Sequence, residues 1–150
     1  LAAGQWKQAD RETLSLLLKV AGREKEGWLN IQSINQLPCL DLFTIDQLWL
    51  KYSNERFGLS VQKGIWESIG AQSDTDYEIW CKFCDHVGWR VNNNWLFYSD
   101  LTFTSDAPTG HFPAAGVIHL LTQWRGWAIG SISCVVGFSA LTSKMETCDL

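Results

Sequence analysis

Leu37–Gly70, "LPCLDLFTIDQLWLKYSNERFGLSVQKGIWESIG", reads as two helices joined by one tight turn. After Pro38 the residues Leu42, Ile45, Trp49 and Tyr52 recur at intervals of three and four, and Asp41 stands where a cap is needed. "NERFG" then breaks the period with turn-forming residues. Ser60 opens a second, shorter helix that carries Val61, Ile65 and Ile69, and Gly70 supplies the left-handed stop at its end. Apolar residues at helical spacing, punctuated by Gly and Asn, define an all-α class here.

The neighbouring stretches agree. Trp6, Ala9, Thr13, Leu17 and Val20 predict an amphipathic first helix that stops at Gly22, and Tyr77, Trp80, Cys81 and Cys84 predict another over residues 75–86. From Gly88 to Pro113 the helical period is lost, and "WLFYSDLTF", Trp95 to Phe103, reads as extended loop because a lone strand would lack a partner. "SALTSKMETC" predicts a closing helix. A chain of 150 residues fits one domain spanning 1–150, and a first residue of Leu is consistent with a fragment of a longer protein.

With 46% apolar residues and a mean hydropathy of -0.08, the chain is globular in type. The net charge of -4 divides into 8 basic and 9 acidic residues over 1–75 and 4 and 7 over 76–150, so no basic patch exists to neutralise a nucleic-acid backbone. The five cysteines, odd in number and scattered, favour a reducing compartment. The N-terminus has no apolar core of a signal peptide. Gly126–Ser143, uncharged over 18 residues, reaches the lower limit for a membrane span, but three glycines and five hydroxyls argue against one.

Catalytic signatures are weak. "WCKFC" has the form of a thiol oxidoreductase motif, but it falls inside a helix, whereas that chemistry places the first Cys at a helix N-terminus. Two inward-packing thiols are the plainer expectation. Cys81, Cys84 and His86 do not complete a tetrahedral zinc set, so no metal is expected. His111 and His119 lie beside no nucleophile elbow, and no phosphate-binding glycine loop occurs. His111 is expected to be a structural hydrogen-bonding group, and no catalytic residue is assigned.

Pro113–Phe138 is different. Arg125, between Trp124 and Trp127, is the only formally charged side chain from Ala107 to Ser143. A buried helix is one reading, but Gly116, Gly126, Gly130 and Gly137 each weaken a helix by about 1 kcal/mol relative to Ala. A mobile aromatic loop accounts for them better. Stacking rings beside a guanidinium suit a flat apolar ligand with carboxylates, such as a tetrapyrrole, and equally a partner peptide.

"DQLWLKYSNERFGLSVQ" and "GHFP", with "VGWR", "APTGHFP" and "SKMETC", resemble the genomes-uncoupled-four family of tetrapyrrole-binding regulators of magnesium chelatase. The likeness spans nearly the whole chain. It implies an all-helical, cupped domain with a greasy porphyrin-binding groove and a long Gly- and aromatic-rich loop near the C-terminus. It further implies a non-catalytic carrier and activator with no intrinsic cofactor. Its ligand would be protoporphyrin IX or Mg-protoporphyrin IX, with a linear bilin as a further candidate. The implied partner is the porphyrin-binding large subunit of magnesium chelatase, in cyanobacterial cytoplasm or plastid stroma, with peripheral membrane contact.

By the same resemblance the groove wall includes Leu50, Phe57 and Leu59, facing the loop after "GHFP". Trp124, Arg125, Trp127 and Phe138 are assigned to the ligand by chemistry and location, with Arg125, Arg90 or both meeting its propionates. The family usually has Phe at Leu59, Gly at Glu55 and Leu at Phe112. Two other functions stay open: an interaction module that grips a protein or membrane without pigment, and a thiol oxidoreductase using Cys81 and Cys84.

Overall fold

The computed structural model describes residues 1–71, 77–116 and 132–150. The helices are α1 (Trp6–Val20), α2 (Ile31–Asn35), α3 (Cys39–Ser53), α4 (Leu59–Ser68), α5 (Tyr77–His86) and α6 (Ile132–Thr147). Between α5 and α6 lie two short strands, β1 (Arg90–Val91) and β2 (Asn94–Trp95), and a 3-10 turn at Tyr98–Asp100. The all-α class holds, with this small hairpin added.

Local chemistry explains the boundaries. The α3 helix starts two residues before Asp41, with Pro38 as its N-cap, and Asp41 lies in its first turn. It ends at Asn54 in the left-handed region. At the next helix the cap comes from elsewhere: the Asp46 carboxylate accepts a 2.9 Å hydrogen bond from the Ser60 N–H, and the Ser60 hydroxyl caps nothing. The sequence reading missed α2, although Asn30 and Ser33 form a reciprocal capping box there.

Trp95 does have a partner, contrary to the reading of 95–103 as loop throughout. It pairs antiparallel with Arg90, and Asn94 with Val91, across Asn92 and Asn93 at φ 51 and 64. Two left-handed Asn residues make the tight turn that joins twisted strands. The closing helix is longer than its C-terminal signal showed. Phe138 is therefore inside α6 and not in a loop.

Two aromatic clusters fill the interior. Trp6, Trp49, Phe57, Phe103 and Phe112 form the first, with Trp49 stacked on Phe112 at 5.7 Å. Trp66, Trp80, Phe83, Trp89 and Phe138 form the second, with Phe83 and Phe138 centroids 4.6 Å apart. Among the described residues the tryptophans Trp6, Trp49, Trp66, Trp80 and Trp89 are thus core. Offset and edge-to-face ring contacts add to the burial energy of such large side chains.

Cys39 and Cys148 are joined in a disulfide across 109 residues of sequence, whereas the odd, scattered cysteines had favoured a reducing compartment. Their separation in sequence hid their closeness. Cys81, Cys84 and Cys134 take no part in a disulfide. Among the described residues no helix is long and apolar enough to cross a membrane.

Gly110 shows how tightly the two clusters are joined. Its φ is +76, and an added Cβ would stand 2.6 Å from Ile65 Cδ1 and 3.2 Å from Val87 Cγ1. Gly110→Ala combines left-handed strain with overpacking, so a loss of roughly 2–4 kcal/mol is expected, measured by chemical denaturation.

Candidate functional site

Gly110–Gly116 is buried along its whole length. Buried peptide groups require hydrogen-bond partners, and this segment forms no sheet ladder, so side chains and turns from other elements supply them. The Gly58 N–H donates to Phe112 O at 3.0 Å. Gln62 Nε2 donates to Gly110 O at 2.9 Å and Pro113 O at 3.0 Å, and Trp89 Nε1 donates to His111 O at 2.9 Å. Arg56 closes the near end, its carbonyl accepting from the Gly110 N–H at 2.8 Å and its guanidinium donating to Ala107 O at 2.7 Å.

His111 faces inward. Its Nδ1 is 2.6 Å from Val87 O, and because a carbonyl only accepts, the ring proton sits on Nδ1. Burial lowers the His111 pKa, so the ring is neutral at physiological pH. A proton held toward a backbone carbonyl in the core suits fastening and not acid–base exchange with a substrate.

The far end is held by Asp10 on α1. Oδ1 accepts from Ala114 N–H at 2.7 Å, and Oδ2 accepts from Ala115 N–H at 2.9 Å and Tyr98 O–H at 2.8 Å. Burial raises the Asp10 pKa to about 6 against the opposing pull of these three bonds, and burial beside Asp10 raises the Tyr98 phenol. Sequence reasoning missed this carboxylate. Its position at i+4 from Trp6 and i–3 from Thr13 put it on the buried face, which was the available signal.

Around this anchor α3 bears two recesses on different flanks. One, of about 370 Å³, lies against α1 and is lined mainly by Ala9, Leu16, Ile45, Leu48, Trp49 and Tyr52. The other, of about 440 Å³, opens at the α3–α4 turn and is lined by Gln47, Leu50, Lys51, Asn54 and Glu55. The α1 groove is the more apolar. The second contains Leu50, a groove residue assigned from sequence.

The other assigned residues are distributed differently. Phe57 and Leu59 are buried beneath the turn, where they support its surface from within. Phe138 is buried among Trp66, Trp80 and Phe83 in the second cluster. Arg90 is engaged by Asp85 at 2.8 Å and Asn93 at 2.7 Å, and its guanidinium stacks on Trp95. Trp124, Arg125 and Trp127 lie outside the described residues, as do His119 and most of the segment assigned as the aromatic loop.

The thiols sit on α5 and α6. Cys84 is buried, and burial raises its pKa well above the ordinary value, which keeps it a thiol and a poor nucleophile. Cys81 is half-buried. Among the described residues no group of three His, Cys, Asp or Glu side chains is disposed to hold a metal ion.

The fold and site together define an all-helical domain built around a fastened internal segment, with open recesses suited to an amphipathic ligand. Residues 1–128 match the family model described as GUN4-like. The chain is 31% identical over 121 residues to "Tetrapyrrole-binding protein, chloroplastic" of Arabidopsis thaliana, covering 75% of this chain and 44% of that protein. It is 33% identical over 129 residues to a Ycf53-like protein of Synechocystis, covering 84% and 50%. A similar relation, 35% over 122 residues covering 79% and 46%, holds with an uncharacterized ycf53 protein of Pyropia yezoensis. Among solved structures it resembles GUN4 from Chlamydomonas reinhardtii, with a TM-score of 0.69 and 27% identity over 95% of this chain and 81% of that one. The ligand-free Arabidopsis GUN4 structure gives a TM-score of 0.66 and 26% identity over 93% and 90%. The chain belongs to the GUN4-like family. It spans about half the length of the curated relatives it matches.

Asp10 gives this site a defined pH response. Its folded pKa of about 6 exceeds the ordinary 3.8, so the folded state binds the proton more tightly. Its contribution is largest below the unfolded value and is lost as pH rises through about 6. Wild-type stability relative to Asp10→Asn should therefore fall by on the order of 3 kcal/mol between about pH 4 and 7, then level off. Parallel denaturation profiles for the two proteins across that range would show that this carboxylate does not titrate there.

Proposed function

We propose that this chain binds a tetrapyrrole and acts as a carrier and activator without turnover. The observation that carries this reading is membership of the GUN4-like family, joined to a recess at Leu50 on the exposed flank of α3. A relative named as a tetrapyrrole-binding protein and the match to GUN4 structures support it. A pigment with a broad apolar ring and carboxylates at its edge fits a surface where an aliphatic side chain borders charged ones.

The ligand is protoporphyrin IX or Mg-protoporphyrin IX, and a linear bilin has the same edge chemistry. The domain spans residues 1–150, and its action is to present the pigment to the porphyrin-binding large subunit of magnesium chelatase in a plastid or cyanobacterium. Chloroplast and cyanobacterial relatives favour that setting. Arg125, flanked by Trp124 and Trp127, is assigned by its chemistry to a ligand carboxylate. The competing oxidoreductase reading loses support from Cys84, whose buried thiol resists ionisation.

Titration with protoporphyrin IX tests the proposal. A saturable Soret shift and tryptophan quenching at about one pigment per chain are expected, with micromolar or tighter affinity. The addition of loaded protein to magnesium chelatase should raise its rate, whereas unloaded wild-type protein should show no disulfide turnover beyond a thiol blank. Absence of saturable binding to either porphyrin would overturn the pigment reading.

A further inference from the structure

The outer flank of α3 carries an apolar stripe that the core does not use. Leu40 is 76% exposed and Phe43 is 50% exposed. With Gln47 and Leu50 they follow one another at intervals of three, four and three, which places them on one face of the helix. Phe43 and Leu50 are two turns apart, about 11 Å along the axis. Leu50 lines the recess at the α3–α4 turn, so the stripe leads directly into it.

The same recess holds two opposite charges that do not neutralise each other. Lys51 and Glu55 are spaced as a helical ion pair would be, yet no salt bridge joins them. The reason is backbone geometry: Asn54 and Glu55 are at φ 53 and 60, so the chain has left the helix before Glu55 and its side chain no longer follows the helical direction. Among the described residues the Lys51 ammonium meets the Tyr52 ring, with Nζ 5.4 Å from its centroid, and both side chains are exposed.

Several other cations among the described residues are occupied otherwise. Arg90 is held by Asp85 and Asn93, Arg56 donates to Ala107 O, and Lys63 donates to Leu150 O at 2.7 Å and pairs with Glu67 at 3.4 Å. To recruit any of these for a ligand carboxylate would break an existing bond. Lys51 gives up only an exposed contact with the Tyr52 ring.

We propose that Lys51 meets one carboxylate of a dicarboxylate tetrapyrrole lying along the outer flank of α3, its ring on Phe43 and Leu50, with Glu55 opposing the acid edge and so weakening the pairing. This rests on the pigment-binding reading above and specifies its orientation. An ammonium beside an aliphatic side chain matches an acid group at the rim of an apolar ring.

The test compares protoporphyrin IX with its dimethyl ester, whose acids are blocked, on wild type, Lys51→Met, Glu55→Gln and Phe43→Ser. All three positions are exposed, so circular dichroism and melting should show the variants folded. Lys51→Met should weaken free-acid binding about three- to tenfold, lose part of its salt dependence, and leave the ester unchanged. Glu55→Gln should tighten the acid about twofold to threefold and spare the ester. Phe43→Ser should weaken acid and ester alike, about five- to tenfold, because it removes ring contact. If wild type binds both pigments but Lys51→Met affects neither, or both equally, this orientation is wrong and pigment binding stands. The orientation is equally wrong if Arg125→Ala alone abolishes the acid–ester difference. If wild type binds neither pigment, the wider reading falls with it.

Discussion

Everything in this structure is arranged around the burial of seven consecutive residues, Gly110–Gly116, that belong to no helix ladder for most of their length. A peptide segment cannot enter an apolar interior unless its N–H and C=O groups find partners there. Here the partners come from α1 through Asp10, the α3–α4 turn through Gly58, α4 through Gln62 and the residue before the hairpin through Trp89. Each of those elements is held in register by the same bonds that satisfy the segment. The order of causes therefore runs from the buried backbone outward to the helices.

This arrangement explains the polar residues inside an otherwise aromatic core. Asp46, fully buried on α3, starts α4 through the Ser60 N–H, and Trp49 donates to Thr13 Oγ1 at 3.0 Å to join α3 to α1. A buried hydrogen bond adds only about 1 kcal/mol net, but an unmet buried polar group costs more, so such bonds select one packing among many. The two aromatic clusters supply the bulk of the apolar burial, and the polar contacts set how the clusters meet.

The consequence for function is that the α3–α4 turn is rigidly supported from below. Phe57 and Leu59 are directed inward, and Gly58 leaves no room for a side chain, since an added Cβ would lie 2.8 Å from Asp46 Oδ1. What remains on the surface is Leu50, Lys51, Asn54 and Glu55, held on a well-packed base. A ligand that binds there meets a surface already in place, which lowers the ordering cost of association.

The sequence by itself determined the helical class, four of the six helices among the described residues to within a few residues, and a family resemblance carried by "DQLWLKYSNERFGLSVQ" and "GHFP". Those features are local: apolar period, turn residues and motif order are all written along the chain. By resemblance it also assigned Leu50, Phe57 and Leu59 to a groove wall, and it left open which cation would meet a ligand. Only the tertiary structure decided that Phe57, Leu59 and Phe138 face inward, that Arg90 is already paired, that Cys39 meets Cys148, and that Asp10 fastens a segment more than a hundred residues away. An aromatic residue has the same composition in a core as in a groove, and an arginine the same charge whether paired or free. Which of these states it occupies depends on neighbours brought together by chain reversal, and spacing along a sequence carries no record of them.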